Sequence, residues 1–272
     1  MPADLHIHSN FSDGLLSPEE IVKKACEAGL TAISITDHDI TDGIEPALAE
    51  GKKLGVKVIP GIEFTTDLPD TEIHILGYYI DHKAQWLKEL LSRIREDRTK
   101  RIYKIVDKLN KLGVEISADD VLKLAEKGSA GRPHVARVLL EKGFVKSIQE
   151  AFNKYLDSKA PAYVPHFRLT PVEAIETIKK AGGISVFAHP AVSNKDEMIP
   201  ELMAKGLAGI EVFYSKHSDS QVRHYRALAA KYGLLMTGGS DFHGLKTIRG
   251  VLLGEFKLPD ECINKLEEFR RK

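Results

Sequence analysis

The sequence predicts an α/β protein, a closed or nearly closed β/α barrel interrupted by an all-helical insertion. Three observations carry that prediction. Short β-branched apolar runs alternate with helix-period stretches over the first 80 residues, and again after residue 170. A long middle segment keeps the helical period with no strand in it. Histidines and carboxylates recur at the ends of the apolar runs, from His6 to His243. A β/α barrel gathers its chemistry there, at the C-terminal ends of its strands.

The first expected strand, residues 4–8, leads through Ser9-Asn10-Phe11-Ser12-Asp13-Gly14 into a helix. Ser17 reads as its N-cap, Pro18 fits the first helical position, and Glu20 completes a capping box. Ile21, Val22, Ala25 and Ala28 mark the apolar face, which ends at Gly29. A strand at 31–36, a helix at 43–54 stopped by Gly55, and strands at 56–59 and 72–79 follow. Repeats of this length predict parallel strands joined by right-handed crossovers.

From residue 86 to 112 the apolar positions Leu87, Leu90, Leu91, Ile94, Ile102, Ile105, Val106, Leu109 and Leu112 keep a helical period. Shorter helices are expected near 118–126, 133–141 and 148–156, separated by Gly128, Gly131 and Gly143. Residues 101–165 are therefore read as a helical insertion, a substrate-binding cap whose exit is marked by Pro161 and Pro165. Residues 1–100 and 166–272 make the barrel. Its second part starts with a Thr170-Pro171-Val172-Glu173 cap and continues with strands at 184–188, 209–213, 234–237 and 250–253. Helices near 197–205 and 221–232 alternate with them.

With 272 residues, 43% of them hydrophobic and 29% charged, the chain has the composition of a globular protein that buries a sizeable core. Lys+Arg and Asp+Glu balance at 39 each, so no global field draws it to nucleic acid or anionic membrane. No apolar run approaches the roughly 20 residues of a membrane span, and a strand at the N-terminus leaves no room for a signal peptide. Cys26 and Cys262 read as two reduced thiols of a cytoplasmic protein. No protein partner is implied.

His6 and His8 sit two apart on a strand and point to one face, and Asp241 and His243 repeat the device. His38, Glu63, His74 and His189 follow or lie within other apolar runs, and Asp13 lies in the first loop. Any one histidine at a strand end is ordinarily a hydrogen-bonded or capping residue. Six of eleven histidines at such positions, with three carboxylates beside them, are another matter: buried imidazoles and carboxylates are costly without a compensating charge. His82, His134, His166, His217 and His224 fall outside the set. Imidazole plus carboxylate without thiolate suits Mn²⁺, Fe²⁺ or Zn²⁺. Nine candidate ligands exceed what one ion accepts, so two or three divalent ions are expected, with Glu63 or Asp241 free to bridge.

The Asp-Leu-His-Ile-His-Ser opening, Ile-Thr-Asp-His-Asp, Pro-Gly-Ile-Glu-Phe, Glu-Ile-His-Ile-Leu-Gly, Phe-Ala-His-Pro and Gly-Ser-Asp-Phe-His-Gly resemble the motifs of the polymerase and histidinol phosphatase (PHP) superfamily. That resemblance implies a distorted seven-stranded β/α (TIM-like) barrel whose trinuclear metal site hydrolyses phosphoesters. It implies one ion held by His6, His8, Glu63 and Asp241, a second by Glu63, His74 and His189, and a third by Asp13, His38 and His243. The insertion, with its Gly131-Arg132-Pro133-His134 and Lys159-Ala160-Pro161 segments, is similar to the subgroup of 3′,5′-nucleoside bisphosphate phosphatases and 5′→3′ exoribonucleases.

Phosphoester hydrolysis needs a nucleophile, charge neutralisation and help for the leaving oxygen. A metal-bridging hydroxide would meet the first need and the cations the second, with Mn²⁺ the expected activating ion. The protein's own acid or base is not identifiable in the sequence. For a second phosphate, Arg132 stands where a helix begins and shares its N-terminus with His134, while Lys159 and His217 are further candidate contacts. The substrate expected is a small phosphorylated nucleotide or short oligonucleotide. The rival readings are a histidinol-phosphate or protein-tyrosine phosphatase of the same superfamily, and a non-catalytic metal-dependent nucleotide-binding protein.

Overall fold

The computed structural model describes residues 2–68, 71–125, 128–165, 169–244, 253–254 and 258–271. Among the described residues, seven strands lie side by side in chain order: β1 (Ala3–Ile7), β2 (Ala32–Ile35), β3 (Lys57–Asp67), β4 (Glu72–Tyr78), β5 (Ile184–Phe187), β6 (Gly209–Tyr214) and β7 (Leu235–Gly239). The segment after β7 returns to β1. Asp241 N donates to His6 O at 2.8 Å and His8 N to Phe242 O at 2.9 Å, so the barrel is nearly closed. The strand expected at 250–253 lies outside the described residues except for Leu253, which sits in a turn.

The parallel order expected for the strands of the first 80 residues needs correcting at the last of them. β1–β2, β2–β3, β5–β6 and β6–β7 are parallel, but β4 runs antiparallel to both β3 and β5. The reason is length. Four residues separate Asp67 from Glu72, whereas a parallel crossover needs a dozen or more. The reversal has a consequence for the site. β4 arrives at the chemical end of the barrel with its first residues, and Thr65 pairs directly with His74. Opposed residues share a face, as do residues two apart, so Glu63, Thr65 and His74 point the same way.

Helices α1 (Pro18–Glu27) and α2 (Ile44–Leu54) link the first three strands. Ser17 and Glu20 form the expected capping box, with Ser17 N donating to Glu20 Oε2 at 2.7 Å, and Gly55 ends α2 in the left-handed conformation at φ 72°. The 27-residue α3 (Gln85–Lys111) then leaves the barrel. Leu87, Leu91 and Ile94 on α3 belong to the core between sheet and helices. Ile102, Ile105, Val106 and Leu109, further along the same helix, belong to a separate core. That second core is completed by α4 (Ala118–Leu124), α5 (Arg132–Glu141) and α6 (Ile148–Ala151), the last continued by a π-helical turn at Phe152–Leu156.

α7 (Pro171–Lys180) returns to the barrel through the Thr170–Glu173 box. Helices α8 (Pro190–Ser193), α9 (Ile199–Ala204), α10 (Asp219–Tyr232) and α11 (Asp260–Arg270), with a 3₁₀ turn at Asp196–Met198 ahead of α9, complete the described elements. None of the described helices is long and apolar enough to cross a membrane. Cys26 is exposed, Cys262 is buried, and both are free thiols.

Candidate metal centre

All nine residues singled out as metal ligands meet at one end of the barrel. They form four overlapping groups whose ligand atoms lie within 4.8 Å of one another: His6, His8, Asp241; His6, Glu63, His189; His38, Glu63, His74; and His8, Asp13, His38, His243. Glu63 is the hub. Its Oε1 lies 2.9 Å from His74 Nδ1 and 3.1 Å from His189 Nε2. Its Oε2 lies 3.2 Å from His8 Nε2, 3.4 Å from His6 Nε2 and 3.1 Å from His38 Nδ1. Two oxygens thus address two different sets of imidazoles, the geometry of a bridging carboxylate.

A second carboxylate closes the first set. Asp241 Oδ1 stands 3.3 Å from His8 Nε2 and 3.7 Å from His6 Nε2, while its Oδ2 accepts from Tyr214 at 2.9 Å. Asp13 Oδ1 stands 3.2 Å from His243 Nε2 and 3.7 Å from His8 Nδ1.

The donor set fits divalent cations on a direct observation. His6 Nε2, His8 Nε2 and Asp13 Oδ1 are buried, and none makes a hydrogen bond. Unpaired buried polar atoms are rare and costly, and these converge on one another. Burial would lift the carboxyls of Glu63 and Asp13, but the facing imidazoles outweigh it and hold both well below the usual carboxylate range. Burial holds His38 below the usual histidine range, so its imidazole is neutral. Burial also disfavours charge on His6 and His8. The carboxylates outweigh it, raising His6 well above its ordinary value and His8 to about 10. A proton would therefore compete with any metal ion for these two rings.

Behind the donors stands a layer that sequence reasoning missed. Glu211, fully buried on β6, lies 3.0 Å from His6 Nδ1 and accepts from His189 N at 2.7 Å. Asp37 accepts from Ser9 N at 2.7 Å and from the hydroxyls of Ser9 and Ser12 at 2.5 Å, tying down the loop that carries Asp13. Asp39 pairs with Arg98 of α3, whose Nη2 also donates to Thr65 Oγ1 at 2.9 Å. The available signal was a lone carboxylate in an apolar strand for Glu211, and for Asp37 and Asp39 their places on either side of His38.

His189 (φ 27°), Asp241 (φ 54°) and Asp39 (φ 53°) have left-handed backbone. Such residues cost about 1–3 kcal/mol each and persist where their surroundings over-determine them. Each of the three has its N–H bound, by Glu211 Oε2, His6 O and Glu63 O respectively.

Of the expected substrate contacts, Arg132 and His134 line a pocket beside the metal ligands, with Asp13, His38, His74, Arg98 and Arg101 in the same wall. Arg132 Nη2 makes a bidentate pair with Glu72 at 2.6 and 2.7 Å, and its Nη1 donates to Leu156 O at 3.2 Å. His134 is buried, accepts at Nδ1 from Gly131 N at 3.2 Å, and is hydrogen-bonded to the Ser12 backbone. Burial drops its pKa to about 4. Lys159 is exposed, and neither it nor His217 lines this pocket. His217 Nδ1 lies 2.9 Å from Val212 O, its ring packs on Tyr214 and Tyr225, and its Nε2 is buried without a partner.

Comparison with known proteins gives this arrangement its context. The chain is 35% identical over 247 residues to the 5′-3′ exoribonuclease Rnm of Escherichia coli, covering 88% of this chain and 84% of that protein. It is 32% identical over 246 residues to the 3′,5′-nucleoside bisphosphate phosphatase of Chromobacterium violaceum, covering 88% and 86%. A solved structure from Bifidobacterium adolescentis, described as a metal-dependent phosphoesterase, superposes with a TM-score of 0.87 at 31% identity, covering 98% of this chain and 96% of that one. Residues 4–163 match the PHP domain. The fold is that of the metal-dependent phosphoesterases, and the chain belongs to the PHP domain family.

Proposed function

We propose that this protein is a metal-dependent phosphoesterase that removes the 3′ phosphate from 3′,5′-nucleoside bisphosphates and nucleotides from the 5′ ends of short RNA. The observation that carries the reading is the split of Glu63, one oxygen toward His74 and His189 and the other toward His6, His8 and His38. It supports one ion on His6, His8, Glu63 and Asp241 and a second on Glu63, His74 and His189, while the convergence of Asp13, His38 and His243 beside His8 supports a third. Mn²⁺ is the ion we propose for activity, with Zn²⁺ or Fe²⁺ as alternatives. Bound there, cations would supply an acidified water and neutralise charge on the phosphoryl oxygens.

The chain's own groups orient the substrate. Arg132 opens the pocket wall at the first residue of α5, and its planar fork suits a phosphate, which would share it with Glu72. The unpartnered His217 Nε2 and the exposed Lys159 are proposed as further contacts, and residues 101–165 as the cap that presents Arg132 and Lys159. His134 has its ring nitrogens engaged by Gly131 and Ser12, which supports a positioning role. The relatives named as a bisphosphate phosphatase and an exoribonuclease support this substrate class over histidinol phosphate or phosphotyrosine.

The test is phosphate release from adenosine 3′,5′-bisphosphate with Mn²⁺, run beside histidinol phosphate. Preferential turnover of the bisphosphate is expected. Preference for histidinol phosphate would overturn the substrate assignment, and turnover of neither would favour a non-catalytic binding protein.

A further inference from the structure

Two residues of the third donor group, Asp13 and His38, are held in place from outside the barrel. Asp13 lies in the loop between β1 and α1. That loop is gripped by the segment leading into α5 and by α5 itself: Ser129 N donates to Phe11 O at 2.9 Å, His134 bonds the Ser12 backbone, and Arg137 Nη2 donates to Asp13 O. The contact is close enough to dictate residue type. A Cβ on Gly128 would stand 1.6 Å from Phe11 O, so only glycine allows the two loops to meet.

On the other side, Arg98 of α3 reaches Asp39 Oδ2, Thr65 Oγ1 at 2.9 Å and, through Nη1, Ala130 O at 3.4 Å. Thr65 Oγ1 lies 3.2 Å from His38 Nδ1. For Nε2 of His38 to offer a lone pair, Nδ1 must carry the ring proton. Thr65 Oγ1 can accept that proton while also accepting from Arg98, and Glu63 Oε2, 3.1 Å from the same nitrogen, is a second acceptor. Donation from the second ring nitrogen is how ligating histidines are ordinarily oriented. By contrast, Glu211 and Tyr214, which bond His6, His189 and Asp241, belong to the barrel itself.

We infer that α3, α5 and the segment between them form the clamp that shapes the third cation position, with Arg137 and the Arg98–Thr65 pair as its positioning residues. This rests on the reading that Asp13, His38 and His243 hold a cation. Loosening the clamp releases the third ion and leaves the other two.

The experiment uses the full chain at a series of buffered free Mn²⁺ concentrations, with bound ions counted by elemental analysis after gel filtration. Arg137→Gln and Thr65→Val are compared with the parent, and circular dichroism melts report folding. Thr65→Val keeps side-chain shape and so keeps the test open should Arg137→Gln unfold. The parent is expected to hold three ions. Each variant is expected to hold two at parental affinity and to need about tenfold to a hundredfold more free Mn²⁺ for the third. Arg137→Lys, which restores a donor to Asp13 O, should recover part of the loss. Three ions at parental affinity in folded Arg137→Gln and Thr65→Val overturn the clamp while leaving the trinuclear reading intact. A parent that holds only two ions overturns both.

Discussion

Glu211 shows how a residue outside the candidate ligand set can still govern ligands. One oxygen faces His6 Nδ1 at 3.0 Å and the other accepts from His189 N at 2.7 Å, fixing a ring and a strained backbone at once. In Glu211→Gln one of those oxygens becomes an NH₂ donor, which either opposes the His189 N–H or drives the His6 ring proton onto Nε2, the nitrogen that faces Glu63. The Mn²⁺ concentration for half-maximal activity should rise about tenfold to a hundredfold, with turnover at saturating Mn²⁺ changing less. An unchanged Mn²⁺ requirement in a titration would rule the role out. The convergence of the nine candidate donors was legible in the sequence, because two-residue spacing on strands and placement at strand ends are local patterns. Glu211 was not, because its effect runs through contacts with positions 6 and 189, more than 20 residues away in either case. The same holds for Arg132. Its place at the head of a helix was legible, but its pairing with Glu72 depends on which strand faces that helix.

At the scale of elements, capping chemistry was the most transparent signal. Ser17–Glu20, Thr170–Glu173 and Gly55 act where local spacing put them. The direction of β4 was missed because strand-helix alternation was extended over a connection too short to hold a helix. α5 carries its own pH dependence. His134 has a pKa of about 4 in the folded protein against about 6.5 when unfolded, so the unfolded chain binds more protons between those values. Stability from the neutral ring is complete above pH 6.5 and is lost as pH falls toward 4, by on the order of 3 kcal/mol. His134→Gln, though less stable at neutral pH, should therefore lose less melting temperature than the parent between pH 7 and pH 4.5. Equal losses in the two proteins would show that His134 does not titrate this way.

At the scale of the whole molecule, the barrel class, the helical middle and the gathering of donors at one rim were legible because periodicity reports them. The closeness of barrel and insertion was not, since it depends on atoms such as Phe11 O meeting Gly128. Unpaired buried donors at that rim imply that cations contribute to folding stability as well as chemistry. A ligand at a hundred times its dissociation constant adds about 2.7 kcal/mol per site. Chelator treatment should lower the melting temperature by several degrees, and Mn²⁺ should restore it. Identical melts with and without chelator would mean that the buried donors bind no ion tightly. The other whole-molecule consequence belongs to α3, one unbroken rod whose first half packs in the barrel core and whose second half packs in the other. Each residue of an α-helix advances about 1.5 Å and turns about 100°. Inserting a single residue between Arg98 and Arg101 would therefore swing everything beyond it by more than a quarter turn. The two cores are in phase with each other only at the present spacing, and lengths of this rod that differ by a fraction of a turn have no fold in which both are satisfied.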